Sequence, residues 1–167
     1  MGYIDYEYYS EMYDDPEITE KEFNRYVYDV DKRLDSLTTG IDNVKKLKVA
    51  FPVDEDNAEA IKRCIVAMID LTHRIKKAER AVDAARGYIV KSDGSMQGKI
   101  ISSVSSGNES ITYASADKST TSIIDKALSD KKMQNQLYRD MVIEYLSGVT
   151  DANGVNLLYM GQYPIVR

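Results

Sequence analysis

Little in this chain is equipped for chemistry. One histidine, His73, and one cysteine, Cys64, stand among 167 residues. A single cysteine excludes an internal disulfide and any zinc site built on several thiolates. Cys64 lies in an apolar helical stretch that reads as buried and inert. His73, beside Arg74, reads as a helix residue and not as a ligand. There is no phosphate-binding glycine loop and no nucleophile elbow. The sequence therefore predicts no catalytic residue, no metal site and no cofactor.

Long apolar runs are also missing. The longest, Cys64 to Ile69, is far short of a membrane span. The first residues, Met-Gly-Tyr-Ile-Asp-Tyr-Glu, carry acids and tyrosines where a signal peptide has a basic start and an apolar stretch. The expectation is a soluble intracellular protein. The net charge of −5 argues against a general binder of nucleic acid or of anionic membranes. The small basic group Lys45, Lys46 and Lys48 does not change that balance.

Tryptophan is absent and phenylalanine occurs twice, yet there are 13 tyrosines. Tyr3, Tyr6, Tyr8, Tyr9 and Tyr13 crowd the start of the chain. Tyrosine joins a large apolar face to a polar tip, which suits surfaces that are half buried or buried on assembly. Packing on its own domain and burial against a partner both remain open for this segment.

Three amphipathic stretches read as helices. Thr19 and Glu22 have capping-box spacing, flanked by Ile18 and Phe23 as a hydrophobic staple. From there Phe23, Tyr26, Val27, Val30, Leu34 and Leu37 recur at helical intervals up to Gly40, so a helix is predicted near 20–38. A second is predicted over 55–86, with acids at its start and bases in its later half. One side is marked by Ala58, Ile61, Ile65, Met68, Thr72, Ile75, Glu79 and Val82, with Cys64 and Leu71 widening it. The third is predicted over 130–146, with Met133, Leu137, Met141 and Tyr145 on one face. A short helix through Leu128 is suggested by Ser122 and Asp125.

Between the second and third helices the period changes from helical to alternating. Tyr88–Lys91 can be a strand, and Lys99–Ser105 and Glu109–Ala114 flank Gly107-Asn108 as the arms of a β-hairpin. The fold expected is mainly α: a small helical bundle with an inserted β-hairpin (about 88–114) and an extended C-terminal tail. It reads as one domain, with an N-terminal arm or short helix (1–18), helices (19–87), the insertion (88–118), further helices (119–148) and the tail (149–167).

A lone hairpin is marginal in water and needs something to pack on. Ile100, Ile101, Val104, Ile111 and Tyr113 lie there among serines, and in the tail Leu157, Leu158, Tyr159 and Met160 form an apolar end. These nine residues are the candidate interface.

The strings "PEITEKEFNRY", "FPVDEDNAEAIKR", "GKIISSVSSGNESITYAS" and "EYLSGVTDANGVNLLYMGQYP" together resemble the small head–tail connector (adaptor) proteins of long-tailed phages and prophages of Gram-positive bacteria. The likeness covers nearly the whole chain. It implies a structural virion protein at the head–tail interface, assembled in the host cytoplasm. Subunits would form a ring, commonly dodecameric, beneath the portal protein after DNA packaging. That ring extends the DNA channel and receives a stopper or tail-completion protein. DNA would pass without sequence-specific binding, and no membrane is involved. The alternative is a helical regulatory module of a phage or prophage that binds a protein or DNA.

Overall fold

The computed structural model describes residues 2–13, 16–90, 96–105, 110–114, 123–124, 127 and 130–164, with the backbone alone described over 81–114. The chain is mainly helical. Its helices are α1 (Tyr6–Glu11), α2 (Glu20–Thr38), α3 (Lys46–Val49), α4 (Glu55–Ala85) and α5 (Lys131–Leu146). The chain divides into two compact units, one of Met1–His73 with Lys132–Arg167 and one of Arg74–Lys131.

In the first unit local chemistry sets the helix ends. Thr19 accepts the Glu22 amide and Glu22 reaches back to the Thr19 amide, so the expected capping box closes. Its staple pair, Ile18 and Phe23, is almost fully buried. Along α2 the buried apolar positions are Phe23, Tyr26, Val30 and Leu34, one stripe at three- and four-residue spacing. Helix α4 is buried on more than one side, because Ile61, Cys64, Ile65, Val66, Met68, Ile69 and Leu71 are all inside. Its residues as far as His73 belong to this unit. Gly148 follows α5 with φ of 84°, in the left-handed region that glycine adopts at least cost.

Helix α5 corrects one expectation. Its buried residues are Tyr138, Val142 and Leu146, not the stripe Met133, Leu137, Met141 and Tyr145. The two stripes adjoin, and the choice falls on the one whose polar tip finds a partner. The Tyr138 hydroxyl lies 2.8 Å from Thr72 Oγ1 on α4, and the Arg33 guanidinium sits 4.1 Å from the centre of its ring.

The second unit carries β1 (Arg86–Val90), β2 (Met96–Ser105) and β3 (Ser110–Ala114). They form an antiparallel sheet in the order β1-β2-β3. The insertion expected over about 88–114, a hairpin with Tyr88–Lys91 as a candidate further strand, is this three-stranded sheet in the described backbone. Helix α4 stops at Ala85, before Gly87, and β2 is long enough to pair with both neighbours. The helical residues Ile123, Ile124 and Ala127 fall where a short helix was expected, and its proposed caps Ser122 and Asp125 lie outside the described residues.

The tail corrects another expectation. It is not extended: Thr150 bridges Asn156, and Asp151 Oδ1 accepts the amides of Asn153 and Val155, each at 2.9 Å. A left-handed Gly154, φ 75°, completes the turn.

Candidate interaction surface

The tyrosine-rich start is tied to its own unit by hydroxyls that donate to carboxylates. Tyr3 donates to Asp35, Tyr8 to Glu59 at 2.9 Å, Tyr9 to Asp70 at 2.8 Å, and Tyr13 also to Asp70. Tyr9 and Tyr6 pack on Phe23 with centroids 5.5 and 5.6 Å apart, the first tilted and the second edge-on. Burial and the carboxylate beside it raise each of these four phenols, Tyr8 to about 12. Each stays a neutral donor at ordinary pH.

The tail is held by Lys46. Its side chain is fully buried, and Nζ donates to the carbonyls of Leu157 (3.0 Å), Asn156 (3.3 Å) and Tyr159. Burial lowers its pKa. Asp42 accepts the Tyr163 amide at 2.5 Å, and the Tyr163 hydroxyl donates to Asp151. In the sequence Lys46 stands with Lys45 and Lys48 as a small basic group. A lysine buried to cap three carbonyls leaves no local sequence signal, since its partners lie more than a hundred residues away.

The nine candidate interface residues separate accordingly. Leu157 is completely buried in its own unit, which removes it from the surface, and Leu158 is half-buried. Tyr159 and Met160 are 51% and 48% exposed. Beside them stands Ile41, 78% exposed, whose amide donates to the Met160 carbonyl at 3.1 Å. Sequence reasoning missed Ile41, although an isoleucine just past a helix stop was the available signal. Ile41, Tyr159 and Met160 are thus exposed apolar residues on two segments that this backbone bond joins.

The other five lie in the sheet, where the backbone places them and the side chains are outside the description. Register pairs Ile101 with Tyr113 and Val104 with Ile111, and it shifts between Ile101 and Ser103. That one-residue shift brings positions 101, 104, 111 and 113 to one face of the sheet. Position 100, paired with Ala114, belongs to the other face. Simple alternation would have put 100 and 104 together.

A cleft of about 560 Å³ opens where the first residues cross α2, lined by Gly2, Tyr3, Val27, Tyr28, Asp31, Lys32, Asp35 and Lys48. Asp31 and Asp35 share a face because they are one helical turn apart. Asp35 is buried. It accepts from the Tyr3 hydroxyl, and Lys48 Nζ stands 3.1 Å from its Oδ2. Burial pushes the Asp31 carboxyl up to about 6, with the Asp35 charge adding to the rise and the Tyr3 amide and Lys48 opposing it.

The folded state therefore holds this proton more tightly than the unfolded chain. The stability it supplies is full below about pH 4 and is lost as pH rises through about 6. Replacing Asp31 by Asn should stabilise the protein at neutral pH by about 1 kcal/mol, after allowing for screening of a half-exposed group. The gain should disappear toward about pH 3, where both states are protonated. Urea melts of the two proteins across this range check it, and a gain independent of pH would disprove it.

Among the described residues no group of three or more His, Cys, Asp or Glu could hold a metal ion, and no helix is long and apolar enough to cross a membrane. His73 is buried, with its ring edge-on to Tyr26 and Nε2 3.9 Å from Glu17. Cys64 is buried and its thiol is pushed up to about 12 by burial. No family model, curated protein or solved structure matches this chain.

Proposed function

We propose that the chain is a structural connector of a phage or prophage head–tail junction, forming a ring on the portal protein, extending the DNA channel and receiving a stopper or tail component. One observation carries the reading. A β-sheet unit nearly free of charge along β2 and β3, with isoleucine, valine and tyrosine on its strands, interrupts a helical unit that closes its own core. Such a segment gains most by contact with another subunit. The resemblance of the four sequence strings to connector proteins supports the same role. The acidic balance, −5 overall, suits a channel wall past which DNA slides without sticking. The protein acts without catalysis, cofactor or membrane, and meets DNA only in transit.

The test uses the full chain with portal rings. Wild type should co-sediment with the portal and form a ring there, while associating weakly alone. Val104→Asp and Met160→Asp should each lose co-sedimentation, because an unpaired charge buried at an interface costs several kcal/mol. For Met160→Asp, at an exposed position, the melt should stay within about 0.5 kcal/mol of wild type. A wild-type protein that never co-sediments with the portal sinks the proposal.

A further inference from the structure

The sheet of the second unit ends on both sides in a strand with one partner. In the order β1-β2-β3, the outer edges of β1 and β3 pair with nothing among the described residues. The backbone N–H and C=O groups along such an edge need partners, and an unguarded edge is a template for another strand. The two edges match in length, because β1 (Arg86–Val90) and β3 (Ser110–Ala114) have five residues each.

Edges that stay single are commonly blunted by lysine, proline or a bulge. β3, Ser-Ile-Thr-Tyr-Ala, has no charge and no proline, and β1, Arg-Gly-Tyr-Ile-Val, is charged only at its first position. The irregularity of the sheet falls elsewhere. Pairing passes from Ile101↔Tyr113 to Ser103↔Thr112, so the residue left over, Ser102, is on the central strand. We infer that β3 of one copy of this chain pairs with β1 of the next, so that neighbouring subunits share one continuous sheet.

The topology selects a second copy as the occupant. A foreign strand laid on one edge leaves the other open. A second copy brings the opposite edge, and repetition of the contact uses both edges of every subunit. That is a head-to-tail interface, which closes into a ring when the rotation permits. β2 is antiparallel to both neighbours, so β1 and β3 run the same way. Subunits related by rotation about one axis therefore meet as a parallel pair. β1 lies against positions 96–100 of β2 and β3 against 100–105, a stagger that a closed sheet takes up by tilting its strands to the axis. The inference rests on the proposed ring for its closure and names the contact between the ring's subunits.

Disulfide trapping in the full chain tests it. Within one chain β2 separates β1 from β3, which puts them two strand spacings, about 9.5 Å, apart. A disulfide needs Cα atoms within about 7 Å, so a bond between these strands must join two chains. Tyr88→Cys or Ile89→Cys is combined with Ile111→Cys or Thr112→Cys, in all four pairings, because adjacent positions lie on opposite faces. Oxidation of the concentrated protein, and of the protein on portal rings, should give trimers and longer ladders in a pairing that shares a face. Each single-cysteine variant should stop at dimers, since Cys64 is buried. Amide exchange of the unsubstituted chain gives a second reading. Alternate amides over 86–90 and 110–114 should slow by about tenfold or more on assembly. Rings on the portal with neither ladder nor alternating protection overturn the inference and leave the connector reading standing. A ladder in concentrated protein that never joins the portal supports the inference and sinks the connector reading. The absence of ladder and protection from both samples overturns the inference. Were the cysteine variants unfolded, the exchange pattern of the unsubstituted chain decides alone.

Discussion

Replacing Lys46 by alanine should destabilise the protein by about 3 kcal/mol or more, among the largest effects of any single lysine substitution. Its ammonium is the donor to three carbonyls of the C-terminal loop, and its side chain is wholly enclosed. Truncation leaves those carbonyls facing a void too confined for free hydration, and each unpaired one costs about 1–3 kcal/mol. The loop has other ties, including Asp42 to the Tyr163 amide and Ala152 to the Ala50 carbonyl, so it should loosen without taking the helices apart. Lys46→Met separates the causes. It keeps the volume and removes the donor, so most of the loss should remain. Lys45→Ala, at an exposed neighbour, should stay within about 0.5 kcal/mol. Urea denaturation at neutral pH measures all three, and a Lys46→Met protein as stable as wild type would mean the carbonyls do not depend on it.

Tyr9→Ala should cost about 3–5 kcal/mol, the range for removing a buried aromatic ring. Tyr9 is 2% exposed, packs against the rings of Tyr6, Tyr13 and Phe23, and donates to Asp70. Helix α1 has six residues, too few to hold together alone. Its order depends on this ring, so the alanine variant should also expose the neighbouring Tyr6 and Tyr13. Acrylamide should then quench the tyrosine fluorescence more strongly than in wild type. Tyr9→Phe should lose only about 1 kcal/mol, because the ring stays and Asp70 retains Tyr13. If Tyr9→Ala melted like wild type, the N-terminal segment would have to be an independent arm.

What the sequence made legible was what is written within one or two turns of chain. Thr19, Glu22, Ile18 and Phe23 are neighbours, so the start of α2 could be read from the capping pattern alone. The length of α4 followed from its charge gradient and its unbroken apolar spacing. Contacts between distant residues were not legible. Nothing near Lys46 announces that it caps carbonyls at 156–159. The face of α5 was misjudged by one position because two apolar stripes adjoin there. Thr72 and Arg33, on other helices, decide between them. In the sheet, a single shift of register separated Ile100 from Val104, and no residue type marks where such a shift falls.

The helical unit is discontinuous in sequence: it runs to His73 and resumes at Lys132. Its folding must therefore bring together two stretches that the insertion holds apart, and the insertion acts as a tether whose closure has an entropic cost. That cost grows only with the logarithm of tether length, about 0.6 kcal/mol for each doubling. The arrangement separates two demands on one chain. Residues that close the helical core are constrained by packing, whereas the length and surface of the segment between them can change widely at little thermodynamic expense to that core. New contacts can be acquired in the insertion without redesigning what carries it.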